Sequence, residues 1–249
     1  MIKKIMHSTL TSVKHKKWLL FKTLLPHVIL LVLLDFMTKA YLPLVLNKEA
    51  TSAELFYAVS SILLTFIVSV SIAVKTHRVL LLNEDGLHGL EFSRFKYREL
   101  SFLFTSILLG LITGGIIFIF TFIFAVFKMV IIGSVIGVVL ALVIVSRLTI
   151  VLPSIAVDKK MSFKEAWNLT KEFKWMSFYV IILFPTLFCF IVTLVYGYII
   201  NYLSLFLGIN LDVFYVFLNL LLSIFVISAL SVMYSHIHSK MAMEKTEGQ

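Results

Sequence analysis

Six stretches of the chain stay apolar for longer than a soluble core helix requires: residues 19–41, 55–74, 102–127, 129–152, 177–200 and 213–235. Each is near the roughly 20 residues that carry an α-helix across the hydrocarbon of a bilayer. The pattern predicts an all-α fold, a polytopic membrane helix bundle of six transmembrane helices forming a single membrane domain over residues 1–249. The border between the third and fourth spans is the least marked, because only Lys128 interrupts the apolar run.

Two polar segments break this pattern, at about residues 76–100 and 158–175, and both read as cytoplasmic interfacial segments. In the second, Pro153 lacks an amide hydrogen and biases Leu152 away from helix, so the fourth span should kink or stop there. Ser162 with Glu165 three residues on is a capping box that starts a new helix. At 3.6 residues per turn, Phe163, Ala166, Trp167, Leu169, Thr170 and Phe173 share one face, and Lys164, Glu165, Asn168, Lys171 and Glu172 the other. An amphipathic helix with aromatic groups on one side and lysines on the other lies in the membrane plane, with Trp at headgroup level. The first segment pairs His77 and Arg78 with VLLL, an acidic NEDG turn and the basic, aromatic SRFKYREL.

The start of the chain, MIKKIMHSTLTSVKHKKWLLFKTLL, imitates a secretory signal. Its apolar run is too long and no small-residue cleavage pattern follows, so it reads as a retained first span.

Composition agrees with the class. Of 249 residues 60% are hydrophobic and 14% charged, against about half and a quarter in soluble domains. The net charge of +9 does not point to nucleic acid, because the basic residues cluster between the spans. Lys3, Lys4, Lys14, Lys16, Lys17, Lys75, Arg78, Arg94, Lys96, Arg98, Lys159, Lys160, Lys164, Lys171, Lys174, Lys240 and Lys245 fall on one side; Lys39, Lys48 and Lys128 fall on the other. Such a bias places both termini in the cytoplasm.

Inside the spans, Gly110 and Gly114 of the third and Gly133 and Gly137 of the fourth set small residues four apart, a spacing that lets helix backbones approach. Depth along each helix puts Gly114 and Gly137 at one level, as in an antiparallel pair. Ser61, Thr65 and Ser69 form a narrow hydroxyl stripe on the second span, which packs on a neighbour or lines a polar path. Asp35 and Lys39 are one turn apart, a local neutralising pair near the outer end. Lys22 and His27 also fall in the first span. Arg147 falls near the cytoplasmic end of the fourth span, where a guanidinium snorkels to lipid phosphate or pairs with an acid such as Asp158.

No catalytic set is visible: GxSxG, HExxH and the P-loop are all absent from the sequence. Glu84 and Asp85 with His77 and His88 are the one acid–histidine grouping, of a type that suits a divalent metal, but an acidic turn beside histidines reads first as solvated loop. His236 and His238 point roughly 200° apart on a helix. Cys189 reads as inert packing. No cofactor and no metal site is expected.

HRVLLLNED, followed two spans later by RLTIVLPSIAVDKKMSFKEAWNLTKEFKW, resembles uncharacterised bacterial six-span inner-membrane proteins of the YciC-like family. It is also similar to the membrane domain fused to some glycerophosphodiester phosphodiesterases. The resemblance implies six membrane helices with cytoplasmic interfacial helices in the bacterial inner membrane, and almost nothing about activity, since these families lack an established chemistry. The phosphodiesterase activity does not carry over without its soluble domain. The expected function is that of a non-enzymatic membrane component binding lipid or a membrane protein partner; the alternative is a small transporter or permease subunit. Arg78, Arg94, Arg147, Lys159, Lys160, Lys164 and Lys171, with Trp167 and Trp175, form the expected basic collar for anionic headgroups.

Overall fold

The computed structural model describes residues 2–47, 51–82, 97–159 and 161–247. The chain is helical: α1 (Ile2–His15), α2 (Lys17–Leu46), α3 (Ser52–Leu81), α4 (Tyr97–Val126), α5 (Val130–Leu148), α6 (Val151–Ala156), α7 (Phe163–Leu169), α8 (Lys174–Ser177), a π-helical segment (Phe178–Leu183), α9 (Phe184–Leu207) and α10 (Val213–Glu247). Among the described residues no strand occurs. Six helical stretches are long and apolar enough to cross a membrane, so the polytopic bundle stands.

Hydropathy places the spans but not the helix ends. α2, α3 and α4 each have 30 residues, about 45 Å, against a hydrocarbon core of ~30 Å. Helical hydrogen bonding continues through Lys17, Lys75 and Arg98 because charged residues end an apolar run without ending a helix. The segment expected at 76–100 is therefore partly helical extension, with α3 running to Leu81 and α4 starting at Tyr97; its middle lies outside the described residues. Residues 2–15, read from sequence as a basic lead-in, are a separate helix docked along α10, with Ile5 and Thr9 buried.

The weak third–fourth border is a tight turn. Met129 N–H donates to the Phe124 carbonyl at 2.9 Å and Lys128 N–H to that of Ala125 at 2.9 Å. This is a Schellman ending, whose C′ residue takes the left-handed conformation; Lys128 does so at φ 58°. The resulting α4–α5 hairpin is closely packed, but on one side only. A Cβ on Gly133 would lie 2.5 Å from the Phe124 Cβ and 2.7 Å from the Phe120 carbonyl, and one on Gly137 would lie 3.0 Å from the Ile117 Cα. Gly110 and Gly114 have nothing within 4 Å of that position. The expected Gly114–Gly137 contact is thus corrected: the register sets Ile117, three residues on, against Gly137.

Pro153 acts one turn earlier than expected. It cannot donate to the Thr149 carbonyl and its ring crowds that turn, so α5 ends at Leu148 and resumes as α6 with Leu152 and Pro153 inside it. The tightest packing gathers at the basic end of the bundle, around Ile150, Val180, Met233 and Ile237. At the far end Phe127, Ile131, Leu205 and Phe206 are exposed, as suits apolar helices in lipid.

Candidate functional site

The expected capping box is present: Glu165 N–H donates to Ser162 Oγ (3.2 Å) and Ser162 N–H to the Glu165 carboxylate (2.6 Å). The helix it starts is short, since α7 ends at Leu169. Burial divides the expected faces only in part, since Trp167 of the apolar face is exposed. Ala166, Thr170 and Phe173 are buried, whereas Lys164, Glu165, Asn168, Lys171 and Glu172 are exposed. The Ser162 amide, and then its hydroxyl, hold the Glu165 carboxyl below the usual glutamate range. A depressed folded value means a contribution complete above the unfolded value and lost as pH falls through the folded one. Acidification from neutral pH to about 3 should therefore fray α7 and raise its amide exchange. Glu165→Gln, which still accepts from Ser162, should abolish that pH dependence; an unchanged pH profile would remove the cap from the account.

Arg147 holds this elbow in place. Its Nη2 donates to the Trp167 carbonyl at 2.6 Å, its Nε to Thr170 Oγ1 at 3.2 Å, and its guanidinium carbon lies 3.4 Å from the Trp167 ring centre. The sequence placed Arg147 at the headgroups or on Asp158. The side chain is instead buried, because the elbow folds back and brings Thr170 and Trp167 over the helix end.

Asp158 has other partners. It bridges Arg78 (2.8 Å) and Arg98 (3.1 Å), and Arg78 also donates to the Ala156 carbonyl at 3.0 Å. Asp158 ends α6 in the left-handed conformation, φ 61°, which acidic side chains tolerate better than most. A glycine would suit the turn but could not join α3 and α4 to it. Of the expected collar, Arg78 and Arg147 are thus engaged within the protein. Lys159, Lys164, Lys171, Trp167 and Trp175 are exposed, and Arg94 and Lys160 lie outside the described residues.

A feature absent from the sequence reading is an apolar groove of about 710 Å³ between the α1–α2 corner and α9–α10. Leu24, Val28, Phe188, Val192, Leu221 and Phe225 are among its walls, and Lys14 and Lys17 stand at its basic end. Lys17 to Val28 is 11 residues along α2, about 16 Å, or roughly one leaflet of the hydrocarbon core. The available signal was the apolar spacing of Leu10, Val13, Leu20, Leu24 and Val28 beside two lysines; the facing wall, nearly 200 residues on, carried none. Between these lysines Lys16 turns the other way, donating to the carbonyls of Val79 (2.8 Å), Leu80 (3.2 Å) and Leu82 (3.2 Å) at the end of α3.

Polar groups also line the α2–α3 seam. Thr38 Oγ1 lies 3.0 Å from Ser61 Oγ, and His27 Nε2 lies 3.1 Å from Ser71 Oγ and 3.0 Å from Lys75 Nζ. The hydroxyl stripe divides. Ser61 packs between helices, while Thr65 and Ser69 line a groove of about 300 Å³ with Asp35, Thr38, Asn219 and Ser223. The Asp35–Lys39 pair forms at 2.8 Å. His77 is buried against Ser231 (2.7 Å) and Phe102; Glu84, Asp85 and His88, grouped with it from sequence, lie outside the described residues. Among the described residues no three His, Cys, Asp or Glu side chains gather as a metal set.

Comparison of the chain with protein-family models, curated proteins and solved structures gave no match.

Proposed function

We propose that this protein is a non-enzymatic, multi-pass membrane component that holds anionic phospholipid. The proposal places it in a bacterial cytoplasmic membrane with both termini inside. The observation that carries it is the one-leaflet-deep apolar groove ending at Lys14 and Lys17. At that depth an apolar groove is filled by an acyl chain, and lysines at its mouth favour a negatively charged headgroup. Each basic group near an anionic surface contributes about 1 kcal/mol. The exposed Lys159, Lys164 and Lys171, with Trp167 and Trp175 at headgroup level, supply a second and shallower contact.

Native mass spectrometry of protein purified from phosphatidylglycerol-containing membranes tests this. Lys14→Gln with Lys17→Gln removes two charges and keeps enough basic residues elsewhere to maintain orientation. Retained phosphatidylglycerol should fall about tenfold or more, and the loss should shrink at high salt. Equal retention in parent and variant would leave these lysines without a headgroup role.

A second reading, a small transporter or permease subunit, draws on the polar groove of α2, α3 and α10. It would need a conducting path between the two membrane faces.

A further inference from the structure

We infer that the groove between α2, α3 and α10 binds a small monovalent cation, either a hard metal ion or a protonated amine, with Asp35 as its charge partner. The inference is independent of the lipid reading and requires no transport; a site that binds without conducting satisfies it.

The contacts of Thr38 with Ser61 and of His27 with Ser71 set the antiparallel register of α2 and α3. Interpolated between them, Asp35 comes level with the Leu63–Leu64 step. That level is about 18 Å from the Ser52 end of α3 at ~1.5 Å per residue. The helix is 30 residues long, so Asp35 is close to its middle. The sequence had put the Asp35–Lys39 pair near the outer end, whereas this register sets it within the hydrocarbon. Ionisable groups at such depth are costly, and they mark functional sites.

The lining hydroxyls have already spent their hydrogens. Thr65 donates to the Ser61 carbonyl (2.8 Å), Ser69 to that of Thr65 (2.7 Å), Ser223 to that of Asn219 (2.7 Å) and Thr38 to that of Leu34 (2.8 Å). A hydroxyl has one hydrogen, and in each case the helix backbone holds it. The oxygens that remain offer lone pairs. Together with the Asp35 carboxylate these oxygens outnumber the one uncommitted side-chain donor of the lining, the Asn219 amide, so the wall favours a cation over an anion.

The Lys39 ammonium already rests 2.8 Å from Asp35 Oδ2, so the protein carries a tethered cation against that carboxylate. Lys39 is about half exposed, 49%, and can swing away when a free cation competes. One carboxylate balances one positive charge, and no three-residue metal set is present among the described residues, so a divalent transition ion is disfavoured. A volume of about 300 Å³ admits a partly hydrated ion or a small amine. Ser69, Asn219 and Ser223 are exposed, which leaves the site open between α3 and α10.

The test uses the full chain purified in detergent, at constant ionic strength. Thermal unfolding is followed while N-methyl-D-glucamine, a much larger polyhydroxylated cation, is exchanged for Na⁺ or for methylammonium. One or both should raise Tm saturably by about 2–4 °C. A response to Na⁺ alone assigns a metal ion, and a response to methylammonium alone assigns an amine. Asp35→Asn should weaken the apparent affinity at least tenfold, and Ser69→Ala or Ser223→Ala a few-fold. Lys39→Gln should tighten it by removing the tethered competitor, an effect that a purely structural ion pair would not produce. Asp35→Asn with Lys39→Gln keeps the site uncharged without stranding a lysine, and should unfold normally with no cation response. The inference falls if neither cation differs from N-methyl-D-glucamine in the parent, or if the response persists in Asp35→Asn. It falls equally if Asn219→Cys, in a Cys189→Ser background, forms a disulfide dimer in the membrane, which would assign the groove to a second copy.

Discussion

Replacing Arg147 by alanine should lower the melting temperature of the purified protein by about 8 °C, equivalent to about 3 kcal/mol at this chain length. Arg147 is 8% exposed, and its guanidinium donates to one carbonyl and one hydroxyl while covering the Trp167 ring. Hydrogen bonds to a charged group are worth about 1.5–3 kcal/mol, and a desolvated cation–π contact up to about 2 kcal/mol more. Removal also leaves the Trp167 carbonyl without this donor. Arg147→Lys should recover little, because an ammonium cannot stack on an indole and fork to two acceptors at once. Trp167 fluorescence should shift toward that of exposed indole in both variants. A lysine variant that melts like the parent would show that charge alone, without the planar fork, holds the elbow.

The other large effect separates four glycines that look equivalent in sequence. Gly133→Leu should destabilise the α4–α5 hairpin by about 3 kcal/mol, the upper end of ordinary overpacking. Its Cβ would meet the Phe124 Cβ at 2.5 Å and the Phe120 carbonyl at 2.7 Å, and backbone cannot yield as a side-chain tip can. A Cβ on Gly114 meets nothing within 4 Å, so Gly114→Leu should melt within about 0.5 kcal/mol of the parent. Thermal unfolding of the two variants side by side decides it. Equal losses would return both glycines to a shared interface.

The six spans were legible because lipid imposes a length: about 20 apolar residues, whatever the neighbours. The capping box at Ser162 and Glu165 was legible for a related reason, since both partners lie within one turn. What failed depends on register or on distant chain. Counting depth from the two membrane edges brought Gly137 to Gly114; the true partner is three residues away, which turns the facing surface by about 60°. Arg147 was given a lipid or an acid as partner because its real contacts, Trp167 and Thr170, come within reach only when the elbow folds back. Lys14 and Lys17 were counted as topology signals, for nothing local reveals that α9 and α10 complete a groove above them. The basic collar was legible as charge and not as geometry. Two of its arginines hold α3 and α5 to the rest of the fold, and the exposed lysines remain for lipid.

The central claim is that a phospholipid occupies the groove above Lys14 and Lys17. The most direct measurement is photocrosslinking in nanodiscs with phosphatidylglycerol bearing a diazirine part-way along its acyl chain, followed by peptide mapping. Adducts should concentrate on α2 near Leu24 and on the facing stretches of α9 and α10 near Phe188 and Phe225. Lys14→Gln with Lys17→Gln should disperse them, and a zwitterionic probe of the same chain length should label these positions less. Adducts spread evenly over every lipid-facing helix, unchanged by the lysine variant or the headgroup, would contradict the account.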